Sequence, residues 1–145
     1  MTVQHSPTSL SPSAQARVVH AALMLGVILF LVVTWSIGSR NSLPSAALPD
    51  RKMLYVALFL ASASAFGGAM FVGMRLAPRA TSVSPDEWWR ANMSRALIIW
   101  ALVEAPALLG TVAYMLTQDF RTLIATFAGL FLFLQYRPAR LAERV

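Results

Sequence analysis

Glu104 is the residue of this chain best placed to do chemistry. It stands inside an apolar run from Ala96 to Leu116 that holds no basic side chain, and no other apolar stretch contains an acid. A carboxylate carried into hydrocarbon costs about 2.5–3.5 kcal/mol on insertion scales, and desolvation disfavours its charged form. The chemistry open to such a group is the binding and release of a proton or a cation. The plainer role is a neutral acid that donates one hydrogen bond and fixes helix packing. Pro106, two residues on, supplies no backbone donor, so it frees the carbonyl of Leu102 and is expected to kink the helix. Ser62 and Ser64, at similar depth in the second apolar segment, are candidate hydroxyl partners in an ion or proton site, and Thr111 follows two turns along.

The elements that must position these groups are membrane helices. The chain has 145 residues, 57% hydrophobic and 12% charged. A soluble domain carries about 25% charged residues, so most of this surface does not face water. The net charge is +6, which in a soluble protein would suggest nucleic acid. Here the longest basic run is Arg51-Lys52 and the arginines fall at the ends of apolar segments. That pattern anchors helices in headgroups and argues against a nucleic-acid partner. The partners expected are the lipid bilayer and other membrane subunits or further copies of the chain.

Residues 1–16, rich in Ser and Pro, read as a flexible tail, and 17–145 as a single transmembrane domain. Val18 to Ile37 is the first span, matching a hydrocarbon core of about 30 Å. It exceeds the usual apolar region of a signal peptide, although Ser45-Ala46-Ala47 leaves cleavage open as an alternative. A connector with Pro44 and Pro49 leads to the second span, Met53 to Met74. There Ala61, Ala65, Ala69 and Gly73 recur every four residues and form a packing stripe. Such a stripe serves either close approach of a partner helix or packing inside the chain's own bundle.

Ser84-Pro85-Asp86-Glu87 has the form of a capping box: serine at N-cap, proline at N1, glutamate at N3. The third helix is therefore predicted to start at Pro85, ahead of its spanning part, residues 96–116. Trp88, Trp89, Arg90 and Arg95 are expected at the membrane interface. The fourth span, residues 120–136, is short and is expected to need local bilayer thinning or anchoring by Tyr136 and Arg137, with a re-entrant segment as the alternative. The fold class predicted is all-α: an integral membrane four-helix bundle with antiparallel neighbours.

Orientation follows from basic residues. One side carries Arg17, Arg75, Arg79, Arg90, Arg95, Arg137, Arg140 and Arg144; the other carries Arg40, Arg51, Lys52 and Arg121. The positive-inside rule places both termini and the 75–95 connector in the cytoplasm, in the cytoplasmic (inner) membrane of a bacterium.

Residues 53–116 resemble the helical hairpin of ATP-synthase c subunits, the rotor proteolipid. Ala61 to Gly73 resembles that family's small-residue helix. Leu102-Val103-Glu104-Ala105-Pro106 resembles its carboxyl-bearing helix, with Glu104 at the place of the ion-binding acid. The resemblance implies a proton or cation site at Glu104 in a homo-oligomer. The sequence departs from the family in its sparse glycines, Gly67, Gly68 and Gly73. It also lacks the polar-loop motif, of which Arg75-Leu76-Ala77-Pro78 is a loose echo, and has extra flanking helices.

There is no cysteine, so no thiolate metal site or thiol nucleophile. His5 and His20 form no ligand cluster, and His20 is expected near the interface. No HExxH, His-rich iron motif or nucleophile elbow is present. No cofactor and no enzymatic activity are expected. The function expected is a non-enzymatic structural, accessory or assembly subunit of a membrane complex; the alternative is a proton- or cation-binding protein built on Glu104.

Overall fold

The structure, a computed structural model, describes residues 10–38 and 50–143. Among these the chain is all-α, as the sequence predicts. Helix α1 spans Pro12–Gly38, α2 Arg51–Met74, α3 Pro85–Thr117, α4 Leu123–Gln135, and α5 is a short turn of helix at Pro138–Ala142. A 3-10 turn, Phe120–Thr122, leads into α4. In an apolar solvent a helix satisfies its own backbone, so the sequence chemistry that matters is at the ends.

Those ends are set locally. Ser84 Oγ accepts from Glu87 N–H at 3.2 Å, with Pro85 opening α3 as predicted. The same Ser-Pro chemistry starts α1: Ser11 Oγ accepts from Ala14 N–H and Pro12 is the first helical residue. The tail assigned to residues 1–16 is therefore helical from Pro12 onward, a correction whose signal was the serine–proline pair; residues 1–9 lie outside the described residues, as does Ser45-Ala46-Ala47. Asp86 Oδ1 accepts from the Ser13 N–H at 3.1 Å. One carboxylate thus sits at the positive dipole ends of both α1 and α3. At the far end, Gln118 closes α3 in the left-handed region with φ 54°, its N–H donating to Tyr114 carbonyl.

Three helices, α1, α2 and α3, are long and apolar enough to cross a membrane, which marks the chain as an integral membrane protein. The fourth apolar helix, Phe120–Gln135, is shorter. It spans about 24 Å at 1.5 Å per residue, against a core of about 30 Å. The short fourth apolar segment expected over 120–136 is met in position, apolarity and shortness.

Helix α3 is the hub. Helices α1, α2 and α4 each pack mainly on it and only slightly on one another. Helix α1 runs parallel to α3: Ser13 meets Asp86, His20 meets Trp100, and Trp35 stacks on Tyr114. Helices α2 and α4 run antiparallel to α3. Gly68 of α2 faces Leu102, and Gly129 of α4 rests on Val103 and Ala107.

The closest contact is between α3 and α4. Gly110 lies against the Thr122 carbonyl and Thr126, and Gly129 against Ala107. Thr126 Oγ1 donates to the Ala107 carbonyl at 2.9 Å, and Thr111 Oγ1 bonds both that carbonyl and Thr126 Oγ1. Small residues that admit close backbone approach, with hydroxyls crossing between helices, are the usual means of helix association in lipid. The stripe predicted for this role on α2 is only half seated: Ala69 and Gly73 are buried, Ala65 is partly covered and Ala61 is exposed.

The first turns of α3 extend beyond α4 and are wrapped by the 75–84 loop, α5 and the start of α1. Trp88 Nε1–H donates to Ala77 carbonyl, Trp89 packs edge-on to Trp88 and against Trp100, and Arg79 N–H donates to Ala142 carbonyl. Trp88, Trp89 and Tyr136 are buried in the protein. The expectation that they anchor the membrane interface is corrected, because rings enclosed by the fold, with the Trp88 indole on the Ala77 carbonyl, are not open to headgroups. Arg90, Arg95 and Arg137 are exposed.

Glycine substitutions test this packing. A Cβ at Gly110 would lie 2.8 Å from the Thr122 carbonyl oxygen, and one at Gly129 2.7 Å from Ala107 Cβ. Gly110→Ala and Gly129→Ala should each destabilise by about 1–3 kcal/mol through overpacking. Gly67, with open space around its Cβ position, should accept alanine with a gain of up to about 1 kcal/mol. Thermal unfolding midpoints in detergent would show this; equal effects at all three positions would refute the packing.

Candidate functional site

Glu104 lies on the α3 stripe Trp100–Glu104–Ala107–Thr111–Tyr114, set by the 3–4 residue spacing of a helix. Trp100 meets His20 with ring centroids 5.2 Å apart, and Tyr114 stacks on Trp35 at 5.9 Å. The ends of this stripe, Trp100 and Tyr114, meet α1, while Ala107 and Thr111 pack on α4. Leu102, which meets α2, is turned away from Glu104 by about 160° at 3.6 residues per turn. Glu104 is partly buried, and among the described residues no hydrogen bond or ion pair engages it.

The groups nominated alongside it point elsewhere. Ser62 is buried and lines a groove between α2 and α4, its hydroxyl without a hydrogen-bond partner. Ser64 is exposed. No hydrogen bond joins either serine to Glu104, so the three do not form one site in this chain. The depth match along the helices was sound; the rotation of each helix about its axis decides otherwise. Pro106 is buried and α3 continues through it. Thr111 and Thr126 spend their hydroxyls on the Ala107 carbonyl rather than on that of Leu102.

The polar group that sequence reasoning misplaced is His20. It is buried among α1, α3 and α4, edge-on to Trp100 and Phe133. Its Nε2 lies 3.0 Å from Phe133 carbonyl. Since the acceptor is a carbonyl, Nε2 carries the proton. Trp100 Nε1–H donates to Tyr136 carbonyl at 2.9 Å. Phe133 lies in the last turn of α4 and Tyr136 is its C-cap, where carbonyls lack intrahelical donors. Side chains from α1 and α3 thus close the C-terminal end of α4. The sequence signal was the seven-residue spacing of His20, Val27 and Thr34, all buried along one face of α1.

A second polar cluster lies where α3 turns into α4. Tyr55 hydroxyl donates to Asp119 Oδ2 at 2.6 Å, and Arg121 N–H donates to Asp119 Oδ1 at 2.9 Å. These bonds, the phenol first, hold the Asp119 carboxyl below its ordinary range, aided by the Arg121 and Arg51 charges. A third, at the opposite end, is a cleft of about 160 Å³ bordered by Ser13, Arg17, Arg79, Trp89 and Glu143. Arg79 is already engaged there, its guanidinium donating to Val83 carbonyl at 2.8 Å. Among the described residues no group of three or more His, Cys, Asp or Glu side chains is gathered to hold a metal ion.

Two measurements check these assignments. His20→Ala removes a donor from a buried carbonyl and should cost about 1–3 kcal/mol, seen as a lower unfolding midpoint in detergent; no change would sink the α4-closing role. For Asp119 the folded-state pKa is depressed. Its contribution is complete above the ordinary carboxylate value near 3.9 and is lost as pH falls through the lower folded value. The unfolding midpoint should drop on acidification through that range, and Tyr55→Phe should flatten the dependence.

Comparison with family models, with curated proteins and with solved structures finds no match for the chain.

Proposed function

We propose that this chain is a non-enzymatic accessory or assembly subunit of a membrane complex, and that α2 is the helix it presents to its partner. The observation that carries this reading is the open groove that α2 borders with α3. Of the 24 residues of α2 only Ser62, Ala69 and Gly73 are buried, a coverage as sparse as that of α1, whereas buried residues run the length of α3. The open half of the small-residue stripe, with Ala57 and Ala61, lines a groove of about 210 Å³ together with Leu109, Val112 and Leu116 of α3. Small residues beside an open groove suit close approach of another helix. In this reading the chain sits in the cytoplasmic membrane with both ends on the arginine-rich, cytoplasmic side.

A second reading rests on Glu104. An acid within a span and without a partner in its own chain is open to a proton, a cation or a group from another subunit. The resemblance to the rotor proteolipid hairpin favours an ion site in a homo-oligomer.

Native mass after gentle extraction, with a photo-crosslinking side chain at Ala61, separates the two. The subunit reading expects a fixed complex with an unrelated membrane protein, crosslinked stoichiometrically at position 61, and an assembly unaffected by Glu104→Gln. A homo-oligomeric ring whose activity is lost in Glu104→Gln, with assembly intact, would replace it by the ion-site reading. A monomer crosslinked only to lipid would sink the subunit reading.

A further inference from the structure

We infer that the groove between α2 and α4, on the other flank of α2, is a binding site for one anionic glycerophospholipid. Its phosphate sits at Arg121 and one acyl chain lies along the groove. The groove encloses about 360 Å³ and is lined by Tyr55, Ser62 and Phe66 of α2 and by Arg121, Ala125 and Ala128 at and along α4. Helices α2 and α4 both run antiparallel to α3, so they are parallel to each other and share a polar end at Tyr55 and Asp119. The walls below that end are apolar, and small residues on the α4 side leave the space open. Such a volume lies at the lower end of ligand pockets.

Two observations identify the occupant. The first is charge. At the polar end the three positive side chains Arg51, Lys52 and Arg121 outnumber the two carboxylates, Asp50 and Asp119. Asp50 caps α2 by accepting from Lys52 N–H, and Asp119 accepts from Tyr55 and from Arg121 N–H. The Arg121 side chain is exposed at the mouth of the groove, and among the described residues no ion pair holds it. Basic side chains where helices meet the headgroup region select anionic lipids.

The second observation is Ser62. Its residue is 8% exposed, its hydroxyl has no hydrogen-bond partner among the described residues, and it lines the groove together with Ala125, which follows Arg121 by one helical turn. A buried donor without an acceptor is costly. A glycerophospholipid carries its ester carbonyls one glycerol unit below its phosphate, which brings an acceptor to the depth of Ser62. A hydrocarbon chain alone would leave both Arg121 and Ser62 unanswered.

The test uses the full chain, purified in mild detergent, and native mass spectrometry with phosphatidylglycerol and phosphatidylcholine of identical acyl chains. One phosphatidylglycerol per chain is expected to be retained, about fivefold in preference to phosphatidylcholine, the preference one basic side chain confers near the headgroups. Arg121→Gln, a change at an exposed side chain, should bring the two lipids to parity. Ser62→Ala should weaken retention of the ester-linked lipid and leave an ether-linked analogue unaffected. Ala128→Phe, which fills the groove, should abolish retention of both lipids while the unfolding midpoint without lipid is kept. Equal retention of the two lipids by the wild-type chain would overturn the site and leave general annular lipid. So would a stoichiometric crosslink from position 128 to another protein, which would assign the groove to a helix. Since the subunit reading is probed from Ala61 on the opposite flank of α2, either can fail without the other.

Discussion

The approach of α4 to α3 is the contact on which the rest of the architecture depends. A short apolar helix gains little from hydrophobic burial when the surrounding lipid is as apolar as its neighbours. What holds α4 is contact at backbone distance. Gly110 and Gly129 remove the side chains that would keep the helices apart, and Thr126 then reaches the Ala107 carbonyl. Once the two backbones are this close, the end of α4 falls beside Trp100 and His20, which supply the donors its last turn lacks. His20 belongs to α1, so the position of the first helix follows from the seating of the last.

This hierarchy explains the division of the molecule. Helices α1, α3 and α4 are tied at two levels, by small-residue packing in the middle and by an aromatic cluster with carbonyl acceptors at one end. That end is closed further by the 75–84 loop and α5, under which Trp88 and Trp89 are buried. Helix α2 shares little of this. It meets α3 through Gly68 and the buried pair Ala69 and Gly73, and it is pinned at its start by Tyr55 to Asp119. Its remaining surface borders two grooves. The partner-helix and lipid proposals both rest on those two grooves.

Glu104 illustrates how depth and direction differ as information. Its depth in the span was legible, because depth is a count of residues at 1.5 Å each. Its direction was not, because Ala96 to Leu116 is apolar all round and gives no preferred face. The same holds for Ser62 and Ser64, whose depth matched Glu104 while their directions did not. The aromatic residues misled for a related reason. An amphipathic ring with a polar tip suits both a headgroup layer and an interior that offers a carbonyl, and Trp88 found a carbonyl at Ala77.

The sequence by itself determined the membrane setting, the four long apolar segments and most of their limits. Apolar length and capping residues such as Ser84 and Asp50 act within a few residues of themselves, without tertiary context. Only the tertiary structure decided which face of each helix is covered, that α3 is the hub, that His20 closes α4, and that α2 keeps open grooves on both flanks. The physical reason is that lipid and protein interior are solvents of similar polarity. The apolar pattern that separates inside from outside in water therefore carries no such contrast here, and close steric fit with a handful of buried hydrogen bonds makes the choice.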